Sequence, residues 1–252
     1  MKEIKLDISK LDSGFMHDSY LIEAGEERIV LQKLNKTFDS IPDIDKVSKF
    51  LIDKKFPTIE VLDNYRITKY IYGVIEDKPN DVQFISALQL VGKFHNIIQE
   101  YNAPIRKDIH SVRELRKNYK KLDKLPKRVI HGDLKPLNFL FKGNTAIALL
   151  DLDYVHKNTI VWDIANLICS WCGCQTGKIV PRRIEIIKKQ YSSWSLLTEE
   201  EIGMIDYCVK VFALEFYYRY KDYDYFNKLS KEYCDKRSQN ALKFYESFNR
   251  LY

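Results

Sequence analysis

Residues 129–141 read VIHGDLKPLNFLF. Two short apolar runs flank a polar turn that collects His131, Asp133, Lys135 and Asn138. Asp133 lies two positions after the His, and four residues separate it from Asn138. A second apolar run, AIALLDLDY (146–154), ends in Asp151, thirteen residues after Asn138, with Asp153 two further on.

An acid and an amide on one loop, followed by an acid at the end of the next strand, suit phosphoryl transfer. That reaction needs a carboxylate to orient the attacking hydroxyl, ligands for a metal on the phosphates, and cations for the developing charge. Kinases present these groups in the order His-x-Asp, four residues, Asn, then a strand-end Asp. Asp133 therefore takes the position of the catalytic base, with Asn138 and Asp151 as Mg²⁺ ligands. Asp153 faces either the metal or the acceptor. Lys135 lies between base and metal ligand, where a cation meets the transferring phosphoryl group. Each residue has a plainer reading on its own: Asp133 caps a turn, Asn138 holds a loop, Asp151 ends a strand and Lys135 is a solvated lysine. Their combined order, with strands on both sides, favours the chemical reading. His131 is placed as a packed residue that holds the loop.

The flanking segments supply a matching frame. The first seventy or so residues read as strands with one helix. FMHDSYLIEA and RIVLQKLN are β-rich runs joined at Gly25 into a hairpin. IDKVSKFLIDKKF has helical spacing, with Ile44, Val47, Phe50 and Leu51 on one face. TIEVLDN and YRITKYIYG read as two more strands, the last closed by Gly73. After Pro79 the pattern turns mainly helical: VQFISALQLVGKFHNIIQ, a shorter helix over 111–122, and helices near 161–172, 181–194, 198–220 and 235–250. The expected fold is α+β and two-lobed in the manner of a protein kinase. A β-rich nucleotide-binding lobe spans 1–72, and a helical catalytic and substrate lobe spans 73–252.

Within the small lobe, VLQK places Lys33 in the strand register from which kinases contact the α- and β-phosphates. The usual glutamate partner is missing; the following helix offers Asp43, Asp45 and Asp53 instead. No Gly-x-Gly-x-x-Gly loop occurs. The turn DSGFMHDSY offers Gly14, His17, Asp18 and Ser19 for approach to phosphates. Adenine is expected on the linker TKYIYG, near Tyr70 and Ile71.

Composition sets the outer limits. With 45% hydrophobic and 13% aromatic residues over 252 positions, the chain can bury a sizeable core. No apolar run approaches the ~20 residues of a membrane span, and the start, MKEIKLDISK, has no apolar signal core, so the expected location is cytoplasmic. Five cysteines argue against a disulfide framework. CSWCGC invites a zinc reading but lacks a second cluster of ligands, and small buried residues on a packed helix explain it better. A net charge of +6 suits an anionic partner, yet the lysines are scattered. FYYRYKDYDYF reads as core and rim tyrosines rather than a nucleic-acid stacking surface. Neither nucleic acid nor membrane is expected as partner, and oligomeric state is open.

HGDLKPLN, LLDLDY and WDIANL resemble the aminoglycoside phosphotransferase and choline kinase superfamily, kinase-like enzymes acting on small molecules. GFMHDSYLI and ERIVLQKLN are similar to the small lobe of N-acetylhexosamine 1-kinase and its relatives, LVGKFHN to the superfamily's Leu-Gly-x-Phe-His helix, and ICSWCG and ALEFYYRYKDYDYF to further segments of those relatives. The resemblance spans nearly the whole chain and implies an ATP- and Mg²⁺-dependent kinase acting on a hydroxyl of a sugar or amino sugar. Asp133 is then the base, Asn138 and Asp151 the metal ligands, and Lys33 the phosphate-contacting lysine, with Asp163 bracing the catalytic loop. Two departures limit what the resemblance implies. His17 replaces the usual Asn, and only 35 residues separate His95 from His131. Choline-like amino alcohols or aminoglycosides are the alternative acceptors, and a non-catalytic nucleotide-binding pseudokinase is the alternative outside catalysis. A protein substrate is disfavoured: ten residues between Asp151 and Trp162 leave no room for a regulated activation loop, Gly132 stands in place of Arg, and DLD replaces Asp-Phe-Gly.

Overall fold

The computed structural model describes residues 6–11, 18–33, 41–60, 66–106, 112–222 and 229–252. A four-stranded antiparallel sheet opens the chain, in the order β1 (Leu6–Leu11), β2 (Asp18–Ala24), β3 (Glu27–Lys33) and β4 (Ile67–Lys69). Ala24 pairs with Glu27, so Gly25 and Glu26 form a two-residue loop. Gly25 has φ +65 and is the only one of the two with positive φ. This is the pattern of a type II′ hairpin, whose first central position favours glycine.

Helix α1 (Ile41–Asp53) buries Ile44, Val47 and Leu51 as its spacing predicts, and Phe50 packs edge-on against Tyr101 at 5.3 Å. It also lies against the short turn Leu152–Tyr154 beyond Asp151. TIEVLDN departs from its expected strand. Thr58 makes only an isolated parallel bridge to Leu149, and 61–64 lie outside the described residues. The Thr58 hydroxyl donates to the Leu149 carbonyl at 2.7 Å, and the Leu149 amide donates to Pro57 O at 3.0 Å. Those bonds tie the segment to the second sheet and take it out of the first. YRITKYIYG is likewise split: its middle is β4, and Val74–Ile75 just past it (β5) pairs with a later strand.

Helix α2 (Asp81–Ile98) starts at an Asn80–Gln83 capping box, each side chain satisfying the other residue's amide. Its buried face runs through Phe84, Leu88, Val91, Phe94, His95 and Ile98. The expected helix over 111–122 is a 3₁₀ turn, Arg113–Leu115, leading into α3 (Arg116–Leu122). Strands β6 (Arg128–Ile130), β7 (Phe139–Lys142), β8 (Thr145–Leu149) and β9 (His156–Asn158) follow, giving sheets β5-β7-β8 and β6-β9. The polar turn that holds His131, Asp133, Lys135 and Asn138 is thus suspended between β6 and β7.

Helix α4 (Ile160–Trp171) is buried along its whole length, with α5 (Pro181–Ser192) and α7 (Ile205–Lys221) packed against it and α8 (Lys231–Leu251) packed on α7. The helix expected over 198–220 is broken at Met204 into α6 (Glu199–Gly203) and α7. Glu201 anchors the first of these pieces. It closes a capping box with Thr198 and, fully buried, receives the Arg128 guanidinium from β6, with Nη2 at 3.1 Å from Oε2. Short α6 therefore anchors the strand that enters the catalytic loop. The five cysteines are free and buried, and burial pushes the Cys169, Cys172 and Cys208 thiols up. In FYYRYKDYDYF, Phe216, Tyr217 and Tyr218 pack against the core, while 223–226 lie outside the described residues. No helix among the described residues is long and apolar enough to cross a membrane.

Candidate active site

The loop between β6 and β7 is held from below by Asp163, the fourth residue of α4. One carboxylate oxygen accepts the His131 amide at 2.7 Å and His95 Nε2 at 2.9 Å; the other accepts the Gly132 amide at 2.8 Å. Burial alone would raise this acid, but the His95 hydrogen bond and charge outweigh it, and the carboxyl sits below its usual range. Tyr191 in turn bonds His95 Nδ1 at 2.9 Å, fixing the imidazole from its far side. Asn166 donates to the Gly132 carbonyl at 3.0 Å and Trp171 Nε1 to the Leu134 carbonyl at 2.8 Å. Bracing by Asp163 matches the sequence expectation; Asn166, Trp171 and Tyr191 are additions that only the folded chain reveals.

Gly132 has φ +81, and a Cβ there would lie 2.4 Å from the Tyr154 carbonyl oxygen. Only glycine fits, which is the steric reason no arginine occupies this position. His131 is fully buried, and burial drives its pKa below that of an ordinary imidazole. The neutral ring donates through Nε2 to Leu150 O at 3.0 Å and accepts the Asp133 amide on Nδ1 at 3.3 Å. It holds the loop and has no free nitrogen for catalysis. We expect Asp163→Asn to destabilise the fold by ~2–4 kcal/mol, since an amide cannot accept all three donors and each unsatisfied buried donor costs about 1–3 kcal/mol. A lower urea midpoint at unchanged slope would register the loss; an unchanged midpoint would remove Asp163 from its bracing role.

Above this base the polar side chains converge. Asp133 Oδ2 accepts Lys135 Nζ at 2.6 Å and Asn138 Nδ2 at 2.9 Å. The Asn138 amide also reaches the Asp133 carbonyl at 2.7 Å. The Asn138 carbonyl receives the Leu150 amide at 2.8 Å, which sets the next residue, Asp151, beside the loop. Asp151 adopts a left-handed conformation, φ 60 and ψ 71, which Asp tolerates better than most residues. Burial and then the neighbouring Asp153 push its pKa up to about 7, with Lys135 pulling the other way. Burial opposes the charge on Lys135, but Asp133 and Asp151 hold the ammonium protonated, above the usual lysine range.

Lys135 is shared between Asp133 and Asp151, and Asp153 adds its charge beside Asp151, so a further cation near Asp151 would be favoured. Mg²⁺ is typically bound through one or two carboxylates and the substrate's phosphates, with no all-protein cage. Among the described residues no cluster of three or more His, Cys, Asp or Glu able to hold a metal is found. Asn138, whose Nδ2 is spent on Asp133 and whose Oδ1 is left for a ligand, and Asp151 fit such a phosphate-assisted site.

Asp153 is engaged otherwise. Its Oδ1 meets Arg66 Nη1 at 2.6 Å, and both side chains are buried. Arg66 precedes β4, and the sequence does not single it out, because an arginine inside a strand-like run carries no signal of a partner far along the chain. Ser19 lies within β2, not in the preceding turn. Its hydroxyl is buried and accepts from Gln32 at 3.4 Å, which turns it toward its strand neighbour. Gly14, His17, and the side chains of Lys33 and Asp43, lie outside the described residues; the backbone of Lys33 ends β3. On the linker, the Tyr70 amide is spent on Arg28 O at 3.1 Å, and its ring packs edge-on against Tyr72 at 5.1 Å. Ile71 follows, half-buried.

Residues 88–185 match the phosphotransferase enzyme family. A homoserine kinase of Zymomonas mobilis is 24% identical over 177 residues, covering 60% of this chain and 55% of that protein, so the chain spans about half the length of that relative. Among solved structures, an amicoumacin kinase in complex with AMP-PNP, Ca²⁺ and its ligand superposes with a TM-score of 0.69 at 13% identity, covering 97% of this chain and 92% of the other. A choline kinase from Streptococcus pneumoniae gives 0.65 at 15% identity, covering 96% and 94%. The fold is kinase-like, and residues 88–185 are similar to the phosphotransferase enzyme family.

Proposed function

We propose that the protein is an ATP-dependent small-molecule kinase that transfers the γ-phosphoryl group to a hydroxyl of a sugar or amino sugar. The observation that carries this reading is the meeting of Asp133, Lys135 and Asn138 within hydrogen-bond distance, beside a half-buried Asp151. With Oδ2 of Asp133 held by Lys135 and Asn138, Oδ1 is left to accept the proton of the acceptor hydroxyl and aim its oxygen in line. Asn138 Oδ1 and Asp151 would hold Mg²⁺, which screens the phosphates and offsets charge on the transferring group. Lys135 adds a second cation next to the base. Lys33, at the end of β3, serves the α- and β-phosphates, Gly14 and His17 approach them from the preceding turn, and adenine lies against the linker near Tyr70 and Ile71.

The acceptor class rests on the small-lobe pattern shared with hexosamine kinases. A second reading, a hydroxylated amino compound, is favoured by the homoserine kinase match and by the choline kinase fold likeness. The free buried thiols agree with a reducing compartment, and we place the protein in the cytoplasm.

The test is mass spectrometry of products after incubation with Mg²⁺–ATP and a library of sugars, amino sugars, amino alcohols, hydroxylated amino acids and aminoglycosides. We expect one acceptor group to gain a phosphoryl mass with wild type and not with Asp133→Asn. Phosphorylation confined to amino compounds would replace the sugar reading with the second. No phosphorylated product, together with a melting temperature raised by ATP, would make the chain a nucleotide-binding module.

A further inference from the structure

Arg66 stands where three elements meet. It is 2% exposed and has φ +48, a left-handed backbone that arginine rarely adopts. Its carbonyl accepts the amide of Gln32, the residue before Lys33 on β3, at 3.1 Å. Its guanidinium reaches across the interior to Asp153 Oδ1 at 2.6 Å. Its charge also acts on Asp45 of α1, the helix that packs on the turn Leu152–Tyr154. Two buried atoms in this group have no hydrogen-bond partner among the described residues: Arg66 Nε and Asp45 Oδ1.

Such an arrangement is poorly explained by stability. A buried ion pair often contributes no more than apolar residues of the same volume, and its best-attested use is to fix one register among alternatives. Here the register concerns Asp151. The Asp153 amide donates to Asp151 Oδ1 at 3.4 Å, so whatever fixes Asp153 also fixes the group that orients Asp151. A continuous chain runs from Gln32 through Arg66 and Asp153 to Asp151. Kinases pair the small-lobe strand lysine with a glutamate of the neighbouring helix, and helix α1 of this protein has no glutamate.

We infer that Arg66 is a positioning residue for the metal site: by binding Asp153 it keeps that acid away from the metal and couples strand β3 to the Asp151 turn. The inference rests on the kinase reading for the identity of the ligand, Mg²⁺–ATP, and makes Asp153 a support for Asp151 in place of a ligand.

The experiment titrates Mg²⁺ at fixed ATP and follows the rise in melting temperature of the full chain, a readout that needs no acceptor. Loss of a residue that orients a metal ligand costs about 10–100-fold in metal affinity. Arg66→Met should therefore raise the Mg²⁺ concentration at half-maximal shift by at least ~10-fold. Arg66→Lys, which keeps the charge on a shorter reach, should recover part of that loss. Arg66→Met combined with Asp153→Asn should lose less than Arg66→Met alone, because it leaves no unpaired buried carboxylate. If Arg66→Met does not fold, a displaced midpoint in Arg66→Lys and in Asp153→Asn supports the inference equally. A lowered melting temperature with an unmoved Mg²⁺ midpoint in the folded variants would make Arg66 merely structural and overturn the inference, with the kinase reading intact. A wild type that shows the Mg²⁺-dependent shift but phosphorylates no acceptor would overturn the kinase reading and leave the inference standing. A wild type without any shift would overturn both.

Discussion

Asp133→Asn is expected to lower turnover ~10²–10⁴-fold, the scale of a positioned acid–base group, with only a modest loss of ATP affinity. The substitution is nearly isosteric. Asn138 keeps its bond to the backbone carbonyl of residue 133, and the Asp163 network beneath the loop is untouched, so the loop should hold its shape. What disappears is the carboxylate that pairs with Lys135 and is proposed to accept the acceptor's proton. The proposed metal ligands, Asn138 and Asp151, remain, which is why nucleotide binding should survive. Steady-state kinetics with an acceptor found in the product screen would show a collapsed kcat beside a nearly constant KM for ATP. Turnover within a few-fold of wild type would remove Asp133 from the role of base.

The parts legible in the sequence are those governed by short-range rules. Helix α2 follows from apolar spacing, the hairpin at Gly25 from turn chemistry, and the catalytic loop from residues within ten positions of one another. Asp163 can be placed as a brace because its motif travels with the loop. Arg66 and Asp153 cannot be paired in advance: they are 87 positions apart, and neither strand spacing nor composition distinguishes an arginine with a buried partner from one in solvent. Thr58 misleads for a related reason. A β-branched residue in an apolar run reads as strand, but its hydroxyl and its neighbour's carbonyl are spent on Leu149, a pairing that exists only once the second sheet has formed. The pairing of Glu201 with Arg128 is equally hidden, because the arginine lies on a strand that no local pattern connects to the helix. The acceptor is the least legible feature, because its recognition depends on side chains from several elements whose convergence is not encoded in any one segment.

Asp151→Ala should abolish Mg²⁺-dependent nucleotide binding and catalysis together, in contrast to the split effect at Asp133. The carboxylate of Asp151 is the one acid of the cluster that neither pairs with arginine, as Asp153 does, nor anchors Lys135 directly, as Asp133 does. Its pKa is raised, because burial and Asp153 disfavour ionisation and Lys135 only partly offsets them, so an added positive charge would favour the carboxylate. A divalent cation would supply that charge, so removing the acid removes the reason for the metal to settle there. The fold itself should tolerate the change, because alanine removes an acid whose ionisation its surroundings disfavour; only the left-handed backbone at this position, φ 60, opposes a Cβ without a side-chain acceptor for the Asp153 amide. Isothermal titration of ATP with and without Mg²⁺ separates the outcomes. Wild type should bind more tightly with the metal, and the variant should bind equally weakly in both. Persistent Mg²⁺ enhancement in Asp151→Ala would move the metal elsewhere in the cleft and dissolve the shared site with Asn138 on which the phosphoryl-transfer mechanism depends.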